Sequence, residues 1–95
     1  MFGDVVSVEL PLPAGLMLEE EIRGGADHGE SGLVVGGMSD GGAAERSGLV
    51  RVGDELLAIG PIDVEGMALE HALEILERWP DPTVPLQMLR EREEA

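Results

Sequence analysis

The sequence has no cysteine and no tyrosine, and its 95 residues include one tryptophan and one phenylalanine. Without thiols there is no disulfide framework and no thiolate chemistry, a composition compatible with a reducing compartment. Two lone histidines are too few soft ligands for a zinc site. The scarcity of aromatics means that any core must be built from Val, Leu, Ile, Met and Ala. Cations are scarce as well: 6 Lys and Arg stand against 20 Asp and Glu, for a net charge of −14. Such a surface cannot neutralise a phosphate backbone, which excludes nucleic acid as a partner class. The acidic excess has two readings, the solubility of a small domain or a preference for basic partners. No apolar run approaches the roughly 18 residues of a bilayer-spanning helix, and the first residues lack the basic and apolar blocks of a signal peptide. The expectation is a cytoplasmic protein without direct membrane insertion.

What is present is 43% hydrophobic residues in a chain of 95. That is enough for one modest core, so residues 1–95 are expected to form a single domain, with its core over about 4–90 and a charged tail over 91–95. In "DVVSVEL", Val6, Val8 and Leu10 fall on one face and Ser7 and Glu9 on the other, the period-two pattern of a half-buried strand that Pro11 ends. A second strand over 16–22 carries Leu16 and Leu18. The polar, Gly-rich residues 23–32 have no periodicity and predict a mobile connection. "LVV" at 33–35 reads as a buried strand, "GGMSDGG" as a turn returning Met38 to the interior, and "AAERSG" as about one helical turn stopped by Gly48. "ELLAI" and "PIDV" give two more strands. From 69 to 79 the period changes: Leu69, Ala72, Leu73 and Leu76 form a helical stripe with Ile75 and Trp79 beside it, and Pro80 marks the end. Val84, Leu86 and Met88 alternate in a closing strand. Five to six short strands with one short and one longer helix make an α+β domain, a partly open barrel or sandwich.

Catalysis needs a nucleophile beside a base, paired carboxylates in a cleft or an ordered metal set, and none is signalled, so the chain is not read as an enzyme and needs no cofactor. Ser7, Ser31, Ser39 and Ser47 lack a nucleophile-elbow context. His28 and His71 have no second ligand at useful spacing. Asp40, Asp54 and Asp63 stand beside turn residues, where a carboxylate accepts backbone N–H bonds. What is left is "PAGL" at 13–16, where a glycine lets the chain bend so that successive N–H groups converge on one place. Such a nest suits an anion such as a terminal carboxylate, although Pro-Ala-Gly is also an ordinary turn.

The order of segments adds to this. "PAGLML", "LVVGGM", "GGAAERSG", "LVRVGDELLAIGPIDV", "LEHALEIL" and "VPLQML" follow one another as do the carboxylate loop, core strand, Gly-rich turn, Gly-Asp strand, long helix and last strand of the PDZ domain family. The chain resembles that family over nearly its whole length, without a gap from Leu33 to Leu76, and most specifically in "LVRVGDELLAI". The resemblance implies an interaction module of adaptor or scaffold type that takes the C-terminal peptides of other proteins, such as membrane receptors or channels, as a strand added between strand two and the longer helix. It implies that Pro13, Ala14, Gly15 and Leu16 form the carboxylate loop. Leu16, Met17, Leu18 and Glu19 would line the groove from the strand, and Leu69, Leu73 and Leu76 from the helix.

The family's first helix position, where a His selects Ser or Thr at the third ligand residue from the end, aligns with Leu69. This implies a hydrophobic-x-hydrophobic tail. His71, about 200° further around the helix, should point away from the groove. Glu19, Glu20 and Glu21 would flank the groove and favour basic residues upstream in the ligand. The sequence departs from the family in having Ala14 for a larger residue, no Lys or Arg before the loop, Gly60-Pro61 for Asn-Gly, and Ala68 where a capping Ser or Thr would add about 1 kcal/mol. These departures imply a weaker hold on the carboxylate and leave internal motifs as an alternative ligand. A regulatory module of a protease, sensing substrate C-termini, is a further alternative; the order of strands favours the scaffold type.

Overall fold

The computed structural model describes residues 3–23 and 30–91. Its elements are β1 (Gly3–Pro11), β2 (Leu16–Arg23), β3 (Glu30–Met38), α1 (Ala43–Ser47), β4 (Glu55–Ile59), β5 (Ile62–Asp63), α2 (Leu69–Glu77) and β6 (Thr83–Glu91). The strands form one antiparallel sheet in the order β1-β6-β4-β3-β2, with β5 paired to β4. The sheet curls without closing, which leaves β1 and β2 as its edges.

Alternation decides which strand side chains enter the main core, although Val34, between Leu33 and Val35, is buried as well. Val8 and Leu10 of β1, Leu18 of β2, Leu33 and Val35 of β3, and Val84, Leu86 and Met88 of β6 all face the interior. Each such side chain contributes on the order of 1.5–3 kcal/mol by leaving water. The helix α2 lays the fully buried Ala72 against this core, with Leu69, Ile75, Leu76 and Trp79 packed around it. A small residue at the centre of the contact lets the helix backbone come close. Trp79 extends the contact past the end of α2: its ring lies against Gly60, which has φ +57 and no room for a side chain, and its Nε1–H donates to the Thr83 carbonyl at 2.9 Å. The short α1 ends as expected at Gly48, in the left-handed region at φ 68.

Two strands are longer than their sequence pattern suggests. The ladder of β2 and β3 runs from Leu16↔Met38 to Arg23↔Glu30, so Gly36 and Gly37, read as part of a turn, lie within a strand. The register shifts between Met17/Leu18, leaving Gly36 as the extra residue of a bulge in β3. The exposed Glu19 side chain lies over Gly36, in the space a Cβ would occupy. Of the expected connection over 23–32, residue 23 and residues 30–32 are strand, and 24–29, including His28, lie outside the described residues. Of the expected tail, Glu91 belongs to β6 and 92–95 lie outside the described residues.

One buried charge holds the turn before β4 to the last strand. Asp54 is 2% exposed. Its Oδ2 accepts the Arg51 N–H at 3.0 Å, and both carboxylate oxygens accept from Arg90, at 3.0 Å from Nε and 2.8 Å from Nη2. Arg90 Nη2 also donates to the Leu49 carbonyl. Burial raises the Asp54 pKa, but the Arg90 and Arg51 hydrogen bonds and the positive charges of both residues outweigh it and hold the carboxyl below its ordinary value. A depressed folded-state pKa stabilises the fold above the ordinary carboxylate range, and the contribution is lost as pH falls through the folded value. Arg90→Met is therefore expected to cost about 2–3 kcal/mol in urea unfolding at pH 7. This is less than for a fully buried pair, because the Arg90 side chain keeps 24% exposure. The gap between wild type and variant should narrow as pH falls from about 6 to 2, and a gap that stays constant would contradict this account of Asp54.

Candidate functional site

The site begins at the turn from β1 into β2. The Leu12 N–H donates to the Pro82 carbonyl at 2.8 Å, fixing the start of the turn against the segment before β6. Ala14 is buried. Its carbonyl accepts the Ala44 N–H at 2.8 Å, and the Gly15 carbonyl accepts the Ser39 N–H at 2.9 Å. Gly15 has φ +71, and its α-carbon packs so closely that a Cβ would come within 3.3 Å of the Gly42 α-carbon. Here glycine answers both a left-handed backbone and a close approach to the α1 turn.

These two bonds decide where the amides point. In a trans peptide a carbonyl and the following N–H are antiparallel. With the Ala14 and Gly15 carbonyls turned toward α1, the N–H groups of Gly15 and Leu16 face the opposite way, along the free edge of β2. The amide of Ala14 itself is oriented by neither bond. The Ser39–Gly15 bond also makes Leu16↔Met38 a pair without mutual hydrogen bonds, so Leu16 turns both its N–H and its C=O to the edge.

Beside these amides lies an open cavity of about 730 Å³, lined by Leu12, Pro13, Ala14, Gly15, Leu16, Leu73, Leu76, Glu77, Trp79 and Asp81. This volume falls within the range of ligand sites. Six of the ten residues named from the sequence meet here: Pro13, Ala14, Gly15, Leu16, Leu73 and Leu76. Leu73 is 41% exposed although it belongs to the apolar stripe of α2, because that part of the stripe faces the cleft instead of the core. Leu18 is buried, and Leu69 packs half-buried at the start of α2. Met17 and Glu19 alternate onto the other face of β2, over Gly37 and Gly36. Leu12, Glu77, Trp79 and Asp81 were not anticipated as lining; the spacing of Leu73, Leu76 and Trp79 was the available signal for the tryptophan. His71 lies beyond the cleft, with Ile62, Glu74, Ile75 and Arg78.

At the far end of the cleft, Glu20 reaches from β2 to α2, its Oε1 accepting the Leu69 N–H at 3.1 Å. The N-cap residue Ala68 has no side-chain hydrogen bond to offer, and Glu20 supplies the missing acceptor from 49 residues away. A carboxylate here also answers the positive end of the helix dipole. The turn aspartates behave as expected in part. Asp54 accepts the Arg51 N–H and Asp63 the Glu65 N–H, whereas at the turn before α1 it is Glu45, not Asp40, that accepts a backbone N–H, from Gly41. Among the described residues no group of three or more His, Asp or Glu could hold a metal ion, and no helix is long and apolar enough to cross a membrane.

The PDZ domain family model matches residues 13–89. The chain belongs to this family. This PDZ domain is 35% identical over 91 residues to PDZ domain-containing protein 2 of Rattus norvegicus, a match covering 95% of this chain and 3% of that protein. It is 34% identical over 61 residues to glutamate receptor-interacting protein 2 of Xenopus laevis, covering 64% of this chain and 6% of that protein. The chain thus spans a small fraction of the length of the curated relatives it matches. The crystal structure of the N-terminal PDZ domain of InaD in complex with a NorpA C-terminal peptide has the same fold, with a TM-score of 0.81 at 17% identity, over 95% of this chain and 100% of that one.

The bracing of the loop is testable without a ligand. Gly15→Ala puts a side chain both at φ +71 and against Gly42, whereas Gly41→Ala has the same φ but open space around it. Urea unfolding should show a loss of about 1–2 kcal/mol for Gly41→Ala from backbone strain alone and a larger loss for Gly15→Ala. Equal losses would mean that the loop is not held against the α1 turn.

Proposed function

We propose that this PDZ domain is a single peptide-binding unit that takes the C-terminal tail of a partner protein as an antiparallel strand along the free edge of β2. PDZ domains are among the standard cases of strand addition. The observation that carries this reading is the pair of outward amides at Gly15 and Leu16 beside an apolar cleft. Backbone donors suit a terminal carboxylate, and Leu16, Leu73 and Leu76 form the slot for the last side chain. Pro13 and Ala14 shape the loop that presents the amides. The tail's third residue from the end lies between Leu18 and Leu69, both apolar, so the preferred motif is hydrophobic-x-hydrophobic. Met17 and Glu19, on the other face of β2, meet the intervening tail residues.

The net charge of −14 favours tails with basic residues upstream. In role the domain is an adaptor or scaffold module working in the cytoplasm, and receptor tails are a fitting partner class, given the likeness to a protein named for interacting with glutamate receptors. A groove of this size binding a short tail gives micromolar affinity, about −8 kcal/mol.

Calorimetry with a peptide ending in Val, with a second apolar residue two positions earlier, tests this. The free acid should bind at least ten-fold more tightly than its C-terminal amide, and more tightly than the same peptide with Thr at the earlier position. Leu69→His should reverse the second preference. Equal binding of acid and amide would remove the carboxylate loop from the account.

A further inference from the structure

Glu20 occupies a place in the groove that strand register defines. The extra residue of the bulge belongs to β3, so β2 keeps a regular alternation past it. Leu16, Leu18 and Glu20 therefore all turn their backbone groups to the free edge and their side chains toward α2. The burial of Leu18 and the reach of Glu20 to the Leu69 N–H agree with this. An antiparallel ligand strand whose last residue pairs with Leu16 has the residue two positions earlier opposite Leu18, and the residue four positions earlier opposite Glu20. Directly paired residues point to the same side, with their Cβ atoms about 4.5–5.5 Å apart. The side chain at ligand position −4 thus lies next to the Glu20 carboxylate.

The bond to Leu69 gives that carboxylate a preferred position in the groove mouth, and its second oxygen keeps acceptor capacity. Resting on the reading of the groove as a site for C-terminal tails, we propose that Glu20 is the residue that reads ligand position −4 and selects Lys or Arg there. Without it, the uncapped N-terminus of α2 presents a positive dipole end that disfavours a cation; with it, the sign is reversed. Its neighbour Glu19 cannot do the same, since it projects over Gly36 on the opposite face.

The test uses three free-acid peptides with one hydrophobic-x-hydrophobic end and Lys, Ala or Glu at −4, together with the amide of the Ala peptide. Each is titrated into wild type, Glu20→Gln and Glu9→Gln, the last removing an equal charge from exposed β1. Gln keeps an oxygen for the Leu69 N–H, and thermal melts of each variant check the fold. Wild type should bind the Lys peptide about two- to five-fold better than the Glu peptide. Most of that ratio should be lost in Glu20→Gln, leaving only the small preference set by the remaining net charge, and it should keep its wild-type size in Glu9→Gln. Persistence in Glu20→Gln, or equal loss in both variants, would overturn the assignment. Free-acid binding that is indifferent to residue −4 would overturn it while leaving the groove reading intact, whereas equal binding of acid and amide would remove both.

Discussion

Two hydrogen bonds between the β1–β2 turn and the chain around α1 set the direction of the amides at the edge of β2. The Ala44 and Ser39 N–H groups take the carbonyls of Ala14 and Gly15, and peptide planarity then leaves the next two amides pointing outward. Here the carbonyls are satisfied by a neighbouring element, and the donors face an apolar cleft. The requirement for glycine at 15 and the burial of Ala14 both follow from this close seating on α1.

The second constraint is that α2 must stay near β2 without covering it. Ala72 at the centre of the helix contact anchors α2 to the core, and Trp79, wedged on Gly60 and bonded to Thr83, holds its C-terminal end. At the other end Glu20 ties the first turn of the helix to the strand it faces. Between these attachments Leu73 stays exposed, and the free edge of β2 remains available for pairing. The Asp54–Arg90 pair works at a distance from the cleft, joining the turn before β4 to β6. This pair lines no part of the cleft, so its contribution to stability is separate from the shape of the groove.

Much of this was legible along the chain because the pattern is local. Period-two alternation marked Val8, Leu10, Val84, Leu86 and Met88, and the change to a helical period marked α2 within about two residues of its end. The cleft residues of the PAGL turn and of α2 could be named from the order of segments that the family shares. What was not legible depends on residues far apart in sequence. Gly36 and Gly37 read as a turn because nothing local announces a bulge opposite Met17 and Leu18. Asp54 and Arg90 are 36 positions apart, and Glu20 and Leu69 are 49 apart. Ala68 read as a missing cap, yet the cap is supplied across the cleft, which no window over α2 could reveal.

The most direct measurement follows backbone amide signals during titration with a free-acid hydrophobic-x-hydrophobic peptide. The signals of Gly15, Leu16 and Leu18 should move most and those of Leu73 and Leu76 next, while Val5 on the opposite sheet edge stays in place. Movement centred on β1, or on the face of α2 around His71, would contradict the assignment of the β2–α2 cleft.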